Sequence, residues 1–104
     1  MKISIAKDFS TSPGGRYIKD GPNSGEKFRE KLLKPQYMLS VEAGEKLVVN
    51  FDGCYGFPSS FIDESFGGLA RELGNDILNN IVIISNDQPS LPSFIKECVQ
   101  GKNR

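Results

Sequence analysis

Two adjacent serines, Ser59 and Ser60, are the residues of this 104-residue chain best suited to chemistry at its surface. They follow Pro58 at the predicted start of a helix, where the first amide groups have no partner within the helix. Such amides bind a serine oxygen in a helix cap, and they also suit a phosphate group. The serines are therefore predicted as an N-cap and, compatibly with that role, as phosphorylation sites.

The residues around the two serines form a predicted partner-binding face at the edge of a sheet, where a strand ends and a helix begins. Its members are Asp52, Phe57, Ser59, Ser60, Phe61, Asp63 and Glu64. Asp63 and Glu64 favour the positive end of the helix dipole, and a phosphate added beside them would repel an acidic partner. Core packing is the alternative role for Phe57 and Phe61, and their exposure decides between the two.

A small enzyme is the alternative that the residue types leave open. Cys54 is a candidate nucleophile. Asp52, Asp63 and Glu64 are a candidate carboxylate cluster that would either bind Mg²⁺ or act as acid and base. The chain has no histidine, which removes the Ser-His-Asp and Cys-His arrangements and the common zinc sites. Cys54 and Cys98, the only cysteines, are too far apart for a CxxC site. We therefore expect a non-catalytic protein without a metal or cofactor.

The charge pattern argues against nucleic acid and membranes as partners. Thirteen basic residues balance thirteen acidic ones, so no net field attracts polyanions. The basic residues that could contact nucleic acid are interleaved with glutamates, as on a solvated helix face. They are Arg16, Lys19, Lys27, Arg29, Lys31 and Lys34, with Tyr17 among them. No apolar stretch reaches the roughly 20 residues that span a bilayer, and the N terminus lacks a signal-peptide pattern, so a cytoplasmic protein is expected.

Strands and helices alternate along the chain and position these residues. The predicted strands are residues 2–6, 16–18, 46–51 and 81–84, of which the first two form a hairpin. The predicted helices are residues 25–33, residues 59–73 and residues 91–100. Pro35 ends the first helix, and residues 36–44 are left undecided between helix and an irregular crossover.

This order predicts one α/β domain over residues 1–104, with about four strands in a mixed or parallel sheet and about three helices. It comprises an N-terminal hairpin (2–18), a core motif (45–73), a C-terminal strand and helix (80–100) and a polar tail (102–104). The apolar run at 46–51 predicts a strand covered on both faces, and the β-branched run at 81–84 predicts a central strand. Gly67 and Gly68, inside a helix, are predicted to permit a close approach between helix and sheet.

Three stretches of the chain resemble a known family. Residues 48–53 (VVNFDG), 57–61 (FPSSF) and 63–69 (DESFGGL) are similar to the central motif of the prokaryotic STAS-like domains of uncharacterised function. They are more distantly similar to the STAS domains of anti-sigma-factor antagonists, in which a serine between strand and helix is phosphorylated. Pro58 stands where the antagonists usually have an acidic residue, and the turn at 52–57 is longer than theirs.

The resemblance implies a function for the serines at the start of the helix. It places a phosphorylated serine at Ser59 or Ser60 and makes the domain a partner-switching regulator that acts by protein contact. The implied partner is a small serine kinase of the histidine-kinase-like ATPase type, which binds the unmodified domain.

Overall fold

A parallel sheet of three strands organises the fold. The computed structural model describes residues 1–101, and the predicted polar tail at 102–104 lies outside the described residues. The strands β1 (Lys2–Ser4), β2 (Leu47–Asn50) and β3 (Ile81–Ile84) lie side by side in that order. The main helices are α1 (Ile5–Asp8), α2 (residues 25–43), α3 (residues 59–73) and α4 (Leu91–Gln100), and Ile18–Asp20 and Ile77–Asn80 form short 3-10 helices. The α/β class and the parallel sheet are confirmed, but the described residues form three strands rather than about four.

The N-terminal segment does not form the predicted hairpin, because β1 pairs parallel to β2 and residues 16–18 are not a strand. The amide of Tyr17 donates a hydrogen bond to the carboxylate of Asp20 at 2.9 Å. The amide of Ile18 donates one to the carboxylate of Glu26 at 2.8 Å. Side chains close in sequence thus satisfy the amides that a hairpin would have paired.

The first strand is also shorter than predicted. It ends at Ser4, whose hydroxyl accepts a hydrogen bond from the amide of Lys7 at 3.3 Å and caps α1. The alternation of apolar and polar residues at 2–6 therefore extends from β1 into α1, and Ile5 is buried as the first residue of that helix. A capping serine within the alternation is the local reason for the change.

Helix α2 continues through Pro35, where it was predicted to end, and includes most of the undecided stretch at 36–44. A turn of π-helix, Arg29–Leu33, lies just before the proline. Proline removes one amide donor and crowds the preceding turn of a helix. The wider π-turn at this place accommodates its ring without ending the helix.

Helices α3 and α4 bury the apolar stripes that the sequence predicts. Helix α3 buries Phe61, Ile62, Ser65, Phe66, Leu69 and Ala70, and α4 buries Leu91, Ile95, Cys98 and Val99. Helix α3 also contains a π-turn, Asp63–Gly67. No helix within residues 1–101 combines the length and apolar character needed to cross a membrane.

Phenylalanine rings join α2 and α3 into one core beneath the sheet. The ring of Phe28 in α2 lies 5.3 Å from that of Phe9, 5.6 Å from that of Phe61 and 6.4 Å from that of Phe66, measured between centroids. The ring of Phe51, directly after β2, lies 5.7 Å from that of Phe66. These tilted and edge-on contacts add to the stabilisation that burial of the rings provides.

Only one face of the sheet is covered within the described part of the chain. Leu47 and Val49 are completely buried, whereas Val48 between them is partly exposed and Val82 of β3 is 43% exposed. The expectations of a doubly covered β2 and a central β3 are therefore wrong, since β3 lies at an edge. A continuous apolar run does not specify burial on both faces, because β-branched residues favour strands for conformational reasons as well.

Candidate functional site

The loops that follow β2 and β3 meet at the C-terminal edge of the sheet. The carboxylate of Asp52 accepts hydrogen bonds from the Asp87 amide and the Asn86 side chain, both at 2.9 Å. The carboxylate of Asp87 in turn accepts one from the Gly53 amide at 3.0 Å. These hydrogen bonds lower the pKa of Asp52 below its ordinary value of 3.8, and the bond from the Asp87 amide has the largest effect. Asp52, a predicted partner-binding residue, thus holds two loops together.

A third loop covers the turn after β2. The thiol of Cys54 donates to the carbonyl of Ser10 at 3.5 Å, and the amide of Tyr55 donates to the carbonyl of Thr11 at 2.8 Å. The Tyr55 side chain is 87% exposed, more than any other large apolar side chain of the described residues. Sequence reasoning did not select Tyr55, although an aromatic residue within a turn has no regular element to pack against.

Ser59 and Ser60 are the first residues of α3, and neither caps it. Pro58 occupies the N-cap position, and its carbonyl accepts hydrogen bonds from the amides of Phe61 at 3.0 Å and Ile62 at 3.3 Å. The capping prediction is therefore wrong, because both serines lie inside the helix. Ser59 is exposed and Ser60 partly exposed, and no group within residues 1–101 hydrogen bonds to either hydroxyl.

The two phenylalanines of the predicted face differ in burial. Phe61 is completely buried and packs against Phe28. Phe57 is half-buried, with its ring edge-on to that of Phe51 at 5.0 Å between centroids. Phe61 therefore stabilises the core and does not lie on an exposed face, whereas Phe57 reaches the surface.

Asp63 and Glu64 lie in a network of ion pairs. Nη1 of Arg16 lies 2.7 Å from Oδ2 of Asp63, and Nη1 of Arg29 lies 2.8 Å from Oε2 of Glu64. Arg71 adds a third cation, 3.6 Å from Asp63 and 3.8 Å from Glu64. The acidic side chains are only 14% and 11% exposed. Guanidinium groups therefore neutralise the two carboxylates, which were predicted as partner-binding residues favoured by the helix dipole.

Arg29 was predicted to face water, but it is only 8% exposed and joins α2 to α3. Its guanidinium also donates to the backbone carbonyl of Glu64, and its Nε lies 3.2 Å from Glu72. A Cβ atom on Gly68 would overlap this guanidinium. Gly68 thus makes room for a side chain of the neighbouring helix, not for the predicted approach between helix and sheet. The two adjacent glycines inside a helix were the feature of the sequence that indicated a close contact at this place, although they did not identify Arg29 as the partner.

The residues of the enzyme alternative are not gathered into a metal site within residues 1–101. Burial, and secondly the charge of Asp87, raises the pKa of the Cys54 thiol and so disfavours the thiolate that a nucleophile needs. The prediction that Asp52, Asp63 and Glu64 form a metal-binding cluster is wrong. No group of three or more His, Cys, Asp or Glu side chains among residues 1–101 is placed to hold a metal ion. The same part of the chain has no small-molecule pocket.

A comparison with protein-family models identifies the family. The model described as "STAS-like domain of unknown function (DUF4325)" matches residues 24–91, more than half of the 104 residues. The match includes α2, β2, α3 and β3, and with them both loops that meet at the sheet edge. The chain therefore belongs to this family of STAS-like domains. Comparisons with curated proteins and with solved structures gave no match.

Proposed function

We propose that this STAS-like domain is a non-catalytic protein-interaction module whose binding is controlled by phosphorylation of Ser59 or Ser60. The observation that carries the proposal is the position of the two serines. They begin a helix at the C-terminal edge of the sheet, and no group within residues 1–101 hydrogen bonds to their hydroxyls. The mode of action is partner switching of the anti-sigma-factor antagonist type, which the resemblance of the segment from strand to serine to helix implies.

The proposed partner is a serine kinase of the histidine-kinase-like ATPase type. In the transfer, the Oγ atom of the serine forms a bond to the γ-phosphorus of ATP, and the bond between that phosphorus and ADP breaks. The hydroxyl proton leaves to a base of the kinase or to water. The positive end of the α3 dipole favours the phosphate in the product.

A phosphate on Ser59 would change the interaction face by disturbing the ion pair between Arg16 and Asp63. Asp63 lies four residues after Ser59 and therefore on the same side of α3. The Arg16 side chain is 34% exposed, so it can turn towards a phosphate that carries nearly two negative charges. The phosphate competes with Asp63 for Arg16, and both added negative charges repel an acidic partner. The unmodified domain is the form that binds.

Tyr55 and Phe57 complete the proposed interaction face. Both lie in the loop that leads from β2 to the serines, and the Tyr55 side chain is almost fully exposed. Aromatic side chains bury much area at small conformational cost and are enriched at the centres of interfaces. Tyr55→Ala should therefore weaken binding of the unmodified domain.

Titration calorimetry with the histidine-kinase-like ATPase encoded nearest to this chain's gene tests the switch. The variant Ser59→Asp/Ser60→Asp should bind at least about tenfold more weakly than the wild type, because it places negative charge at the interface. The variant Ser59→Ala/Ser60→Ala should bind as the wild type does. Ser93→Asp is the matched control, since Ser93 is an exposed serine in the first turn of α4.

Mass spectrometry after incubation with the same kinase and ATP locates the modification. The wild type should gain phosphate at Ser59 or Ser60, and Ser59→Ala/Ser60→Ala should gain none. Undiminished binding of the aspartate variant, or phosphate on another residue, would contradict the proposal.

A further inference from the structure

The edge of the sheet at β3 has an unpaired peptide group. The carbonyl of Ile84 accepts a hydrogen bond from the amide of Phe51 at 2.8 Å, so the peptide groups of Ile84 point towards β2. Because peptide groups alternate in direction along a strand, those of Ile83 point away from β2. No group within residues 1–101 hydrogen bonds to the amide or carbonyl of Ile83. Strand β3 therefore offers a donor and an acceptor to another strand.

Apart from its short length of four residues, this edge lacks the features that normally prevent strand association. Residues 81–84 are all β-branched and apolar, without the lysine, proline or bulge that blocks edge pairing. The opposite edge of the sheet, β1, has three residues and begins with the exposed Lys2. On the uncovered face of the sheet, Val82 is 43% exposed, and Val48 and Ile84 are partly exposed. The apolar surface of this face thus extends to the β3 edge.

We propose that β3 pairs antiparallel with β3 of a second copy of this chain, which joins two sheets into one of six strands. A two-fold axis requires antiparallel self-pairing, and the register that sets Ile83 opposite its own counterpart satisfies it. Val82 then lies opposite Ile84 of the second copy, and both side chains stay on the uncovered face. A shift of one residue would set uncovered-face residues against core-face residues, which disfavours it.

Charges at the two ends of β3 favour a second copy as the occupant. Nζ of Lys46 is held at the N-terminal end of β3, where it donates to the carbonyl of Asn79 at 2.6 Å. Asp87 lies three residues beyond the C-terminal end of the strand. Antiparallel pairing sets the Lys46 end of each copy beside the Asp87 end of the other, so strand ends of opposite charge lie side by side twice. The net charge of zero adds no long-range repulsion between copies.

The pairing edge is separate from the face proposed for partner switching. It uses the peptide groups of Ile83 at the side of the sheet, whereas the switch uses Ser59 and Ser60 at the start of α3. A loss of dimerisation and a loss of the phosphorylation switch are therefore distinguishable, and each is measured on its own variants.

Analytical ultracentrifugation across a range of concentrations, with hydrogen exchange followed by NMR, tests the dimer. The wild type should sediment as a dimer at high concentration, and exchange of the Ile83 amide should slow as the dimer forms. Val82→Lys should abolish the dimer and restore rapid exchange, because a lysine at the edge opposes strand pairing. Met38→Lys is the matched control and should stay dimeric, since Met38 is a 51% exposed apolar residue on α2.

A second variant tests the charge arrangement and does not alter the strand itself. Lys46→Glu should weaken the dimer, and added salt should then strengthen association instead of weakening it, because the charges that meet are alike. Three results would overturn the proposal: a monomer at every concentration, a dimer that Val82→Lys and Lys46→Glu leave unchanged, or protection of the Ile83 amide in the monomer.

Discussion

At the scale of single residues, Asp52 joins two loops of the proposed interaction face. Its pKa is lowered on folding, so its carboxylate stabilises the folded protein above the ordinary value of 3.8. That stabilisation is lost as the pH falls through the lower pKa of the folded state. Asp52→Asn cannot titrate and should be less stable than the wild type near neutral pH, by an amount that shrinks below pH 3.8.

Urea unfolding of the two proteins at a series of pH values measures this difference directly. Each pair of curves at one pH is its own control, because the other acidic groups are common to both proteins. A difference that stays constant down to the lowest pH would show that the contacts of Asp52 do not depend on its charge.

At the scale of elements, the packing of α2 on α3 depends on the buried pair of Arg29 and Glu64. Both helices have a π-turn at this contact, beginning at Arg29 in α2 and at Asp63 in α3. Arg29→Met should lower the free energy of unfolding by about 3 kcal/mol, because it removes one partner of a buried charge. We use the lower end of the usual range, since Arg16 and Arg71 still lie near Glu64.

The double variant Arg29→Met/Glu64→Leu should recover most of the lost stability, because no buried charge is then left unpaired. Glu30→Gln is the control: Glu30 is an exposed partner of Arg29 at 3.4 Å, and its loss should cost less than about 1 kcal/mol. Chemical denaturation measures all three variants. A double variant no more stable than Arg29→Met alone would show that the pair does not account for the loss.

At the scale of the whole molecule, the sheet separates a closed core from an open face, and neighbouring residues of β2 test this division. Val49 is completely buried and Val48 is partly exposed. Val49→Asp should unfold the protein, because a buried unpaired charge costs several kcal/mol. Val48→Asp should remain folded. Circular dichroism and denaturation distinguish the two outcomes, and loss of folding in both variants would mean that the sheet is covered on both sides.

Much of the fold could be predicted because its signals are local. Leu69 and Ala70 continue the stripe that Phe61 begins, and this spacing is sufficient to identify α3 and its buried side. Of the candidate site, the sequence placed Ser59 and Ser60 correctly at the beginning of that helix. Arg29 was missed because its polar neighbours in α2 face water, and nothing local marks the one that turns inward.

The sequence by itself determined the alternation of strands and helices, the family motif and the exposed start of α3, since apolar spacing and turn residues act over a few positions. The tertiary structure alone decided that β1 pairs with β2, that one face and the β3 edge stay open, and that Arg29 meets Glu64, 35 residues away. Such contacts depend on which elements pack together, and their free energy is not expressed in any local pattern.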